Sequence, residues 1–204
     1  NYDFDHFIEL FNGYLPSASN RWCTKQLKLK PFEYYIGEDP VVNYVGIRAD
    51  EARVGYISTK PNVETVFPFI DDGIDKDGVF RILENAGIGL PDYYKWRSRS
   101  GCYFCFYQRP SEWVGLKENH PELFEEAKKY EKYDKETGMS FTWRQRESLE
   151  ELEKPERMKE IKENARINAE KAKELASEGT TLMERLDAQR DMENDKLPCT
   201  ICHS

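Results

Sequence analysis

Apolar positions along the opening segment, from Phe4 to Phe11, fall on one face of a short amphipathic helix, and Asn12-Gly13 behind it supplies a left-handed stop. Arg21-Trp22-Cys23-Thr24-Lys25-Gln26-Leu27-Lys28 reads as a basic helical turn that should finish near Pro31, because proline disfavours α geometry in the residue before it. Val41 to Ile47 is β-branched and apolar, which predicts a buried strand. Its carboxyl end delivers Gly46-Ile47-Arg48-Ala49-Asp50-Glu51-Ala52-Arg53, where open α/β sheets place their ligands. Val63 to Phe69 is predicted to be a second extended segment, and Asp75 to Ala86 a helix with an acidic cap and Gly87 just past its end. Pro121 at a first helical position, with His120 as its cap, starts a helix to about Tyr133. Pro155 to about Ser177 is a long Glu-, Lys- and Ala-rich helix laced with i,i+4 charge pairs. Its apolar stripe is thin (Met158, Ile161, Ile167), as in an arm lying on a body. A short helix, Thr181 to Asp191, precedes the tail Cys199-Thr200-Ile201-Cys202-His203-Ser204.

Composition narrows the function classes. A net charge of −8 gives no general support for a DNA coat or a membrane-surface binder, although a local basic patch can still meet nucleic acid. No run approaches the ~18–20 apolar residues that span a bilayer, and no charged-then-apolar leader opens the chain, so no membrane partner is expected. The chain opens on Asn1, which we read as the sign of a longer protein whose beginning lies elsewhere.

The five cysteines change the picture most. Cys102 and Cys105, and again Cys199 and Cys202, stand in C-x-x-C spacing, with Cys23 apart. An odd number in two such pairs argues against a disulfide framework and for thiolates in a reducing cytoplasm. A C-x-x-C turn brings two thiolates to one side of a loop, the bite a tetrahedral Zn or Fe site needs. Two arrangements fit. In one, Cys102, Cys105, Cys199 and Cys202 hold a structural Zn and pin the tail to the body. In the other, Cys23 joins Cys102 and Cys105, and the tail supplies the fourth ligand of a 4Fe–4S cluster.

Arg21-Trp22-Cys23-Thr24 with Lys28 and Pro31, then Gly46 to Glu51 with Arg53, then Gly101-Cys102 and Cys105, resemble in content and order the second half of the phosphoadenosine phosphosulfate (PAPS) reductase family. The similarity is greatest to its iron–sulfur branches, the adenosine phosphosulfate reductases and the DNA-phosphorothioation sulfur-transfer enzymes, and covers about residues 10 to 125. The resemblance implies the C-terminal portion of an α/β, adenine-nucleotide α-hydrolase-like fold. Residues 1–134 would belong to that domain, and residues 135–204 to a helical extension ending in the C-x-x-C tail. It implies cluster ligation by Cys23, Cys102 and Cys105, with Cys199 or Cys202 completing the set, since Trp22 stands where relatives carry an additional Cys. It also implies that Arg21, Lys28, Arg48 and Arg53 face the phosphate or sulfate of a nucleotide, a task suited to forked guanidinium groups and a lysine point charge.

The family's pyrophosphate loop, a Ser-Gly-Gly-x-Asp-Ser type of turn, does not occur in the sequence. In the family it lies upstream of the Arg-x-Cys segment. The expected cofactors are therefore a 4Fe–4S cluster, or Zn in the other arrangement, and an ATP- or PAPS-like nucleotide if the upstream part is present. Two functions are consistent with this. One is sulfur transfer or sulfonucleotide reduction on an adenylated or sulfated nucleotide, with Cys199 or Cys202 as an alternative mobile nucleophile. The other is a non-catalytic, zinc-stabilised interaction module pairing with a separate ATP-binding subunit. Aromatic residues Tyr94, Trp96, Tyr103, Phe104, Tyr107 and Trp113 interleave with Lys95, Arg97, Arg99 and Arg109. This stretch is better read as a hydrophobic shell around the first cysteine pair, and is the surface to suspect if a nucleic acid is the substrate.

Overall fold

The computed structural model describes residues 2–52, 57–133, 140–144 and 147–177, with side chains through Lys171. The chain is a helix-rich mixture with two small two-stranded sheets, in keeping with α/β in general. It divides into two compact units, one of Asn1–Leu27 with Lys95–Ser204 and one of Lys28–Tyr94.

The first unit is built on aromatic packing. Helix α1 (Phe4–Leu10) is capped by the Asp3 carboxylate, which accepts the His6 N–H at 2.9 Å, and ends at the left-handed pair Asn12 (φ 54) and Gly13 (φ 85). Helix α6 (Pro110–Asn119) is enclosed over its middle, where Glu112, Trp113, Val114, Gly115 and Leu116 are all buried. It packs against α7 (Pro121–Lys129) and against α9 (Pro155–Ser177). Gly115 lets the Trp96 ring pack on α6, because a Cβ there would lie 2.8 Å from that ring. The helix begun by Pro121 is shorter than its sequence predicts. It stops at Tyr130, and Lys132–Tyr133 (β3) turns into an antiparallel pair with Ser140–Phe141 (β4). His120 holds the cap position as expected, but its side chain makes no capping bond.

Glu131 fastens the hairpin to the next helix. Its carboxylate accepts the Trp143 N–H at 3.0 Å and the Leu149 N–H at 2.7 Å, the latter at the start of α8 (Leu149–Leu152). Trp143 in turn donates its indole N–H to the Ala127 carbonyl at 2.8 Å. Helix α9 runs over the predicted span and inserts Ile161 into the core. The predicted helix Thr181 to Asp191 and both tail cysteines lie outside the described residues.

Pro31 does not end its helix. Helix α2 (Trp22–Thr24) continues through a π-helical turn, Lys25–Leu29, into α3 (Lys30–Ile36), with Pro31 in the first turn of α3. The widened turn shifts the hydrogen-bond ladder at the residue that has no N–H to give.

In the second unit β1 (Val41–Tyr44) pairs in parallel with β2 (Val63–Val66), Val41 opposite Val63. The strand is shorter than predicted and only half-buried, with Val42 and Tyr44 exposed. Its parallel partner is reached through Lys60 and Asn62, which tie the crossing segment to the end of α3: Lys60 Nζ donates to the Glu33 and Gly37 carbonyls at 3.1 Å each. Past β2 the chain turns into α4 (Pro68–Asp71) instead of staying extended to Phe69. Helix α5 (Lys76–Asn85) starts as its sequence predicts, with the Asp75 side chain accepting the Gly78 N–H at 2.8 Å. Among the described residues no helix is long and apolar enough to cross a membrane.

Candidate functional site

A short helix and a loop far apart in sequence meet on one aromatic cluster. Phe4 stacks on Trp22, the neighbour of Cys23, with ring centroids 5.1 Å apart. The same ring lies 4.4 Å from Phe104, which stands between Cys102 and Cys105. Phe104 stacks in turn on Trp143 at 5.5 Å, and Trp22 donates its indole N–H to the Tyr14 carbonyl at 3.2 Å. The core therefore fixes the residues beside the thiols, and through them the thiols. Burial pushes the Cys23 thiol up, hydrogen bonding with Thr24 opposes it, and the charges of Cys105 and Cys102 push it up further. All three are free thiols, with Cys102 exposed and the others partly so.

The C-x-x-C loop is shaped from outside by a guanidinium. Arg97, 8% exposed, donates to the Gly101 carbonyl at 3.1 Å and to the Cys102 carbonyl at 2.9 Å. The Cys105 N–H closes back on the Cys102 carbonyl at 3.2 Å, and the Gln108 amide donates to the Tyr103 carbonyl at 2.7 Å. Burial lowers the proton affinity of Arg97, while Glu112, Cys105 and Cys102 act to raise it. Glu112 is itself buried, which by itself would push it up. The Ser98 hydroxyl and N–H (2.6 and 2.8 Å) and the Arg109 N–H (3.0 Å) outweigh burial and hold it below the usual carboxylate range.

These observations bear on a metal in two ways. Among the described residues no group of three or more His, Cys, Asp or Glu side chains closes into a ready ligand set. The donor chemistry nevertheless fits a thiophilic group. Cys102 and Cys105 both bear electrostatically on Cys23, and the Arg97 Nε is a buried donor that finds no hydrogen-bond partner among the described residues. Cys199 and Cys202 lie outside the described residues.

The four cations expected at a nucleotide fall on both units. Arg21, exposed, sits in the first unit with its guanidinium 5.8 Å from the centre of the Tyr107 ring, which also carries Arg99 at 5.3 Å. Lys28 is an exposed residue of the π-helical turn. Arg48 is engaged by carboxylates, at 2.8 Å to Asp50 and 3.2 Å to Glu51, and its hydrogen bond to Asp50 raises its proton affinity. Arg53 lies outside the described residues. The suspected basic and aromatic stretch is split by burial: Trp113 is 0% exposed and Arg97 nearly closed off, so neither can stack a base, whereas Tyr107 and Arg99 remain accessible.

Sequence reasoning passed over Arg97, Gln108 and Glu112 as parts of the cysteine loop. They act on backbone groups, so no side-chain motif announces them. The only sequence signal is an arginine four residues before Gly101.

Two uncharacterised proteins of Methanocaldococcus jannaschii are similar to the chain. One is 30% identical over 164 residues, 72% of this chain and 37% of the relative. The other is 27% identical over 135 residues, 59% of this chain and 27% of the relative. The chain thus spans about a third of the length of the curated relatives it matches. No family model and no solved structure matches it.

Proposed function

We propose that the chain is the cysteine-bearing part of a PAPS reductase-like protein that transfers or reduces sulfur on an adenylated or sulfated nucleotide. The observation that carries this reading is that Trp22, beside Cys23, and Phe104, between Cys102 and Cys105, both pack on the Phe4 ring. Those are the three cysteines that the resemblance assigns to a 4Fe–4S cluster. Cys23, Cys102 and Cys105 would hold the group with one tail cysteine, and when bound it would supply a polarising centre, or a sulfur carrier, beside the nucleotide.

The chain's own residues would do the rest. Arg97 keeps the two loop carbonyls turned toward itself and supplies positive charge against the ligated thiolates. Arg21 offers an exposed fork to a phosphate or sulfate two residues from Cys23. Arg48 would release Asp50 or Glu51 in exchange for a substrate anion, which makes its contribution conditional on that exchange.

A zinc-stabilised interaction module is the second reading, favoured by Arg48, which is already paired with Asp50 and Glu51. Anaerobic purification with iron, sulfide and zinc quantification separates the two. About four irons per chain, lost in Cys23→Ser, is the expected result. One zinc, no iron and no effect of Cys23→Ser would replace the sulfur-transfer reading with the module.

A further inference from the structure

A concave site lies in the first unit, apart from the cysteines. Where the start of α6 meets the middle of α9, a cavity of about 180 Å³ is lined by Arg109, Ser111, Arg157 and Asn164 over apolar walls that include Ile161 and Ala165. Among the described residues its two guanidinium groups are met differently. Arg157 is answered by Glu147 at 2.5 Å and by Glu160 at 2.8 Å. Arg109 makes no ion pair among the described residues. The nearest carboxylate in sequence, Glu112, is taken up by the Arg109 backbone N–H and by Ser98. Among the described residues the cavity therefore presents one guanidinium without an ion pair, a hydroxyl and a carboxamide to a shared space.

That donor set matches a tetrahedral oxyanion, onto which a guanidinium forks and a hydroxyl and an amide N–H converge. Ser111, in the first turn of α6, adds the favourable end of that helix's dipole. Size restricts the rest of the ligand. The volume is below the ~300 Å³ at which drug-sized ligands begin, and about six times a water's share of the liquid. The cavity opens to solvent, and its volume accommodates a phosphate carrying a few carbon atoms. The apolar side, Ile161 and Ala165, is where those carbons would rest.

We propose that this cavity is a binding site for a small phosphorylated molecule, held through its phosphate by Arg109, Ser111 and Asn164. The site is independent of the cysteines and of the sulfur-transfer reading.

The test is isothermal titration of the full chain with inorganic phosphate and with glycerol 3-phosphate at low ionic strength, with chloride at matched ionic strength as control. Saturable binding of one phosphate per chain is expected, with glycerol 3-phosphate several-fold tighter. Asn164→Asp places a carboxylate on an exposed helical position and leaves the fold unstrained, so it should weaken both ligands at least about tenfold with an unchanged Tm. Arg109→Gln should do the same, and Ala165→Leu should weaken glycerol 3-phosphate more than inorganic phosphate by narrowing the apolar side. Heat no greater than that of chloride, or binding that survives both Asn164→Asp and Arg109→Gln, overturns the site. Equal affinity for the two ligands overturns the claim that the ligand has a carbon body.

Discussion

The two units of the chain are held together by different means. The unit of Asn1–Leu27 with Lys95–Ser204 buries a continuous set of rings, in which Phe4, Trp22, Phe104, Trp113, Phe124 and Trp143 are linked by stacked and edge contacts. The unit of Lys28–Tyr94 buries only Ile36 and Ile47 among its described residues, and leaves Tyr34 90% and Tyr44 72% exposed. Its parallel pair of strands lacks the cover on both faces that parallel sheets ordinarily have. Rigidity is therefore concentrated where the thiols are. The site proposed for the three cysteines would need locked neighbours, and Trp22 and Phe104 are packed into the ring core. The cations of the second unit rest on a lighter frame, and Arg48 is already committed to two carboxylates.

The contrast breaks most visibly at Trp143. Trp143→Ala removes a ring that is 1% exposed together with its bond to Ala127, and should cost about 3–5 kcal/mol by urea denaturation. It should also loosen the cysteine loop, read as faster alkylation of Cys105. A cost below about 1 kcal/mol would mean that the ring core is not what holds this unit.

Glu131 gives the first unit a pH dependence. Burial pushes its carboxyl up to about 7 from an ordinary 4.5, although the Leu149 and Trp143 N–H groups work against the shift. Between those values the folded chain binds a proton that the unfolded chain does not, so this group's stabilisation is complete below about pH 4.5. It is lost as pH rises to 7, at most ~3 kcal/mol in all. Urea midpoints measured from pH 5 to pH 8 should fall across this window in wild type and lie flatter in Glu131→Gln. An equal slope in both would remove Glu131 from the account.

Gly115→Ala tests the tight side of the comparison more gently. The new Cβ would meet the Trp96 ring at 2.8 Å, and overpacking of this kind costs about 1–3 kcal/mol, measurable as a lowered Tm. At the other end, Val42→Ala on the exposed side of β1 should change stability by less than about 0.5 kcal/mol. A larger loss would show that this strand face is covered.

How much of this could be read from the sequence varied with how local the signal was. Helix α9, the Asp75 cap of α5 and the Asn12-Gly13 stop are set by neighbouring residues, and their sequences announce them. Helix α6 left no such trace. Pro-Ser-Glu-Trp-Val-Gly-Leu is enclosed on nearly every side, so it shows no alternation of apolar and polar faces, and it carries a glycine in its interior. The continuation through Pro31 was hidden for the opposite reason: a strong local rule was overridden by a π-helical turn. At the site, the C-x-x-C spacing exposed Cys102 and Cys105. Cys23 is joined to them by an aromatic cluster whose members are scattered from Phe4 to Trp143, and Arg97 acts on carbonyls that no side-chain pattern reveals.

The central claim is that Cys23 shares one site with the C-x-x-C loop, and thiol proximity tests it without regard to which metal is bound. The full chain with Cys102, Cys199 and Cys202 replaced by Ser keeps only Cys23 and Cys105. Dibromobimane, which becomes fluorescent when it bridges two thiols, should light up on the monomeric variant and yield a Cys23–Cys105 crosslinked peptide by mass spectrometry. Alkylation of the two thiols separately, with no bridged peptide under native conditions, would contradict the shared site.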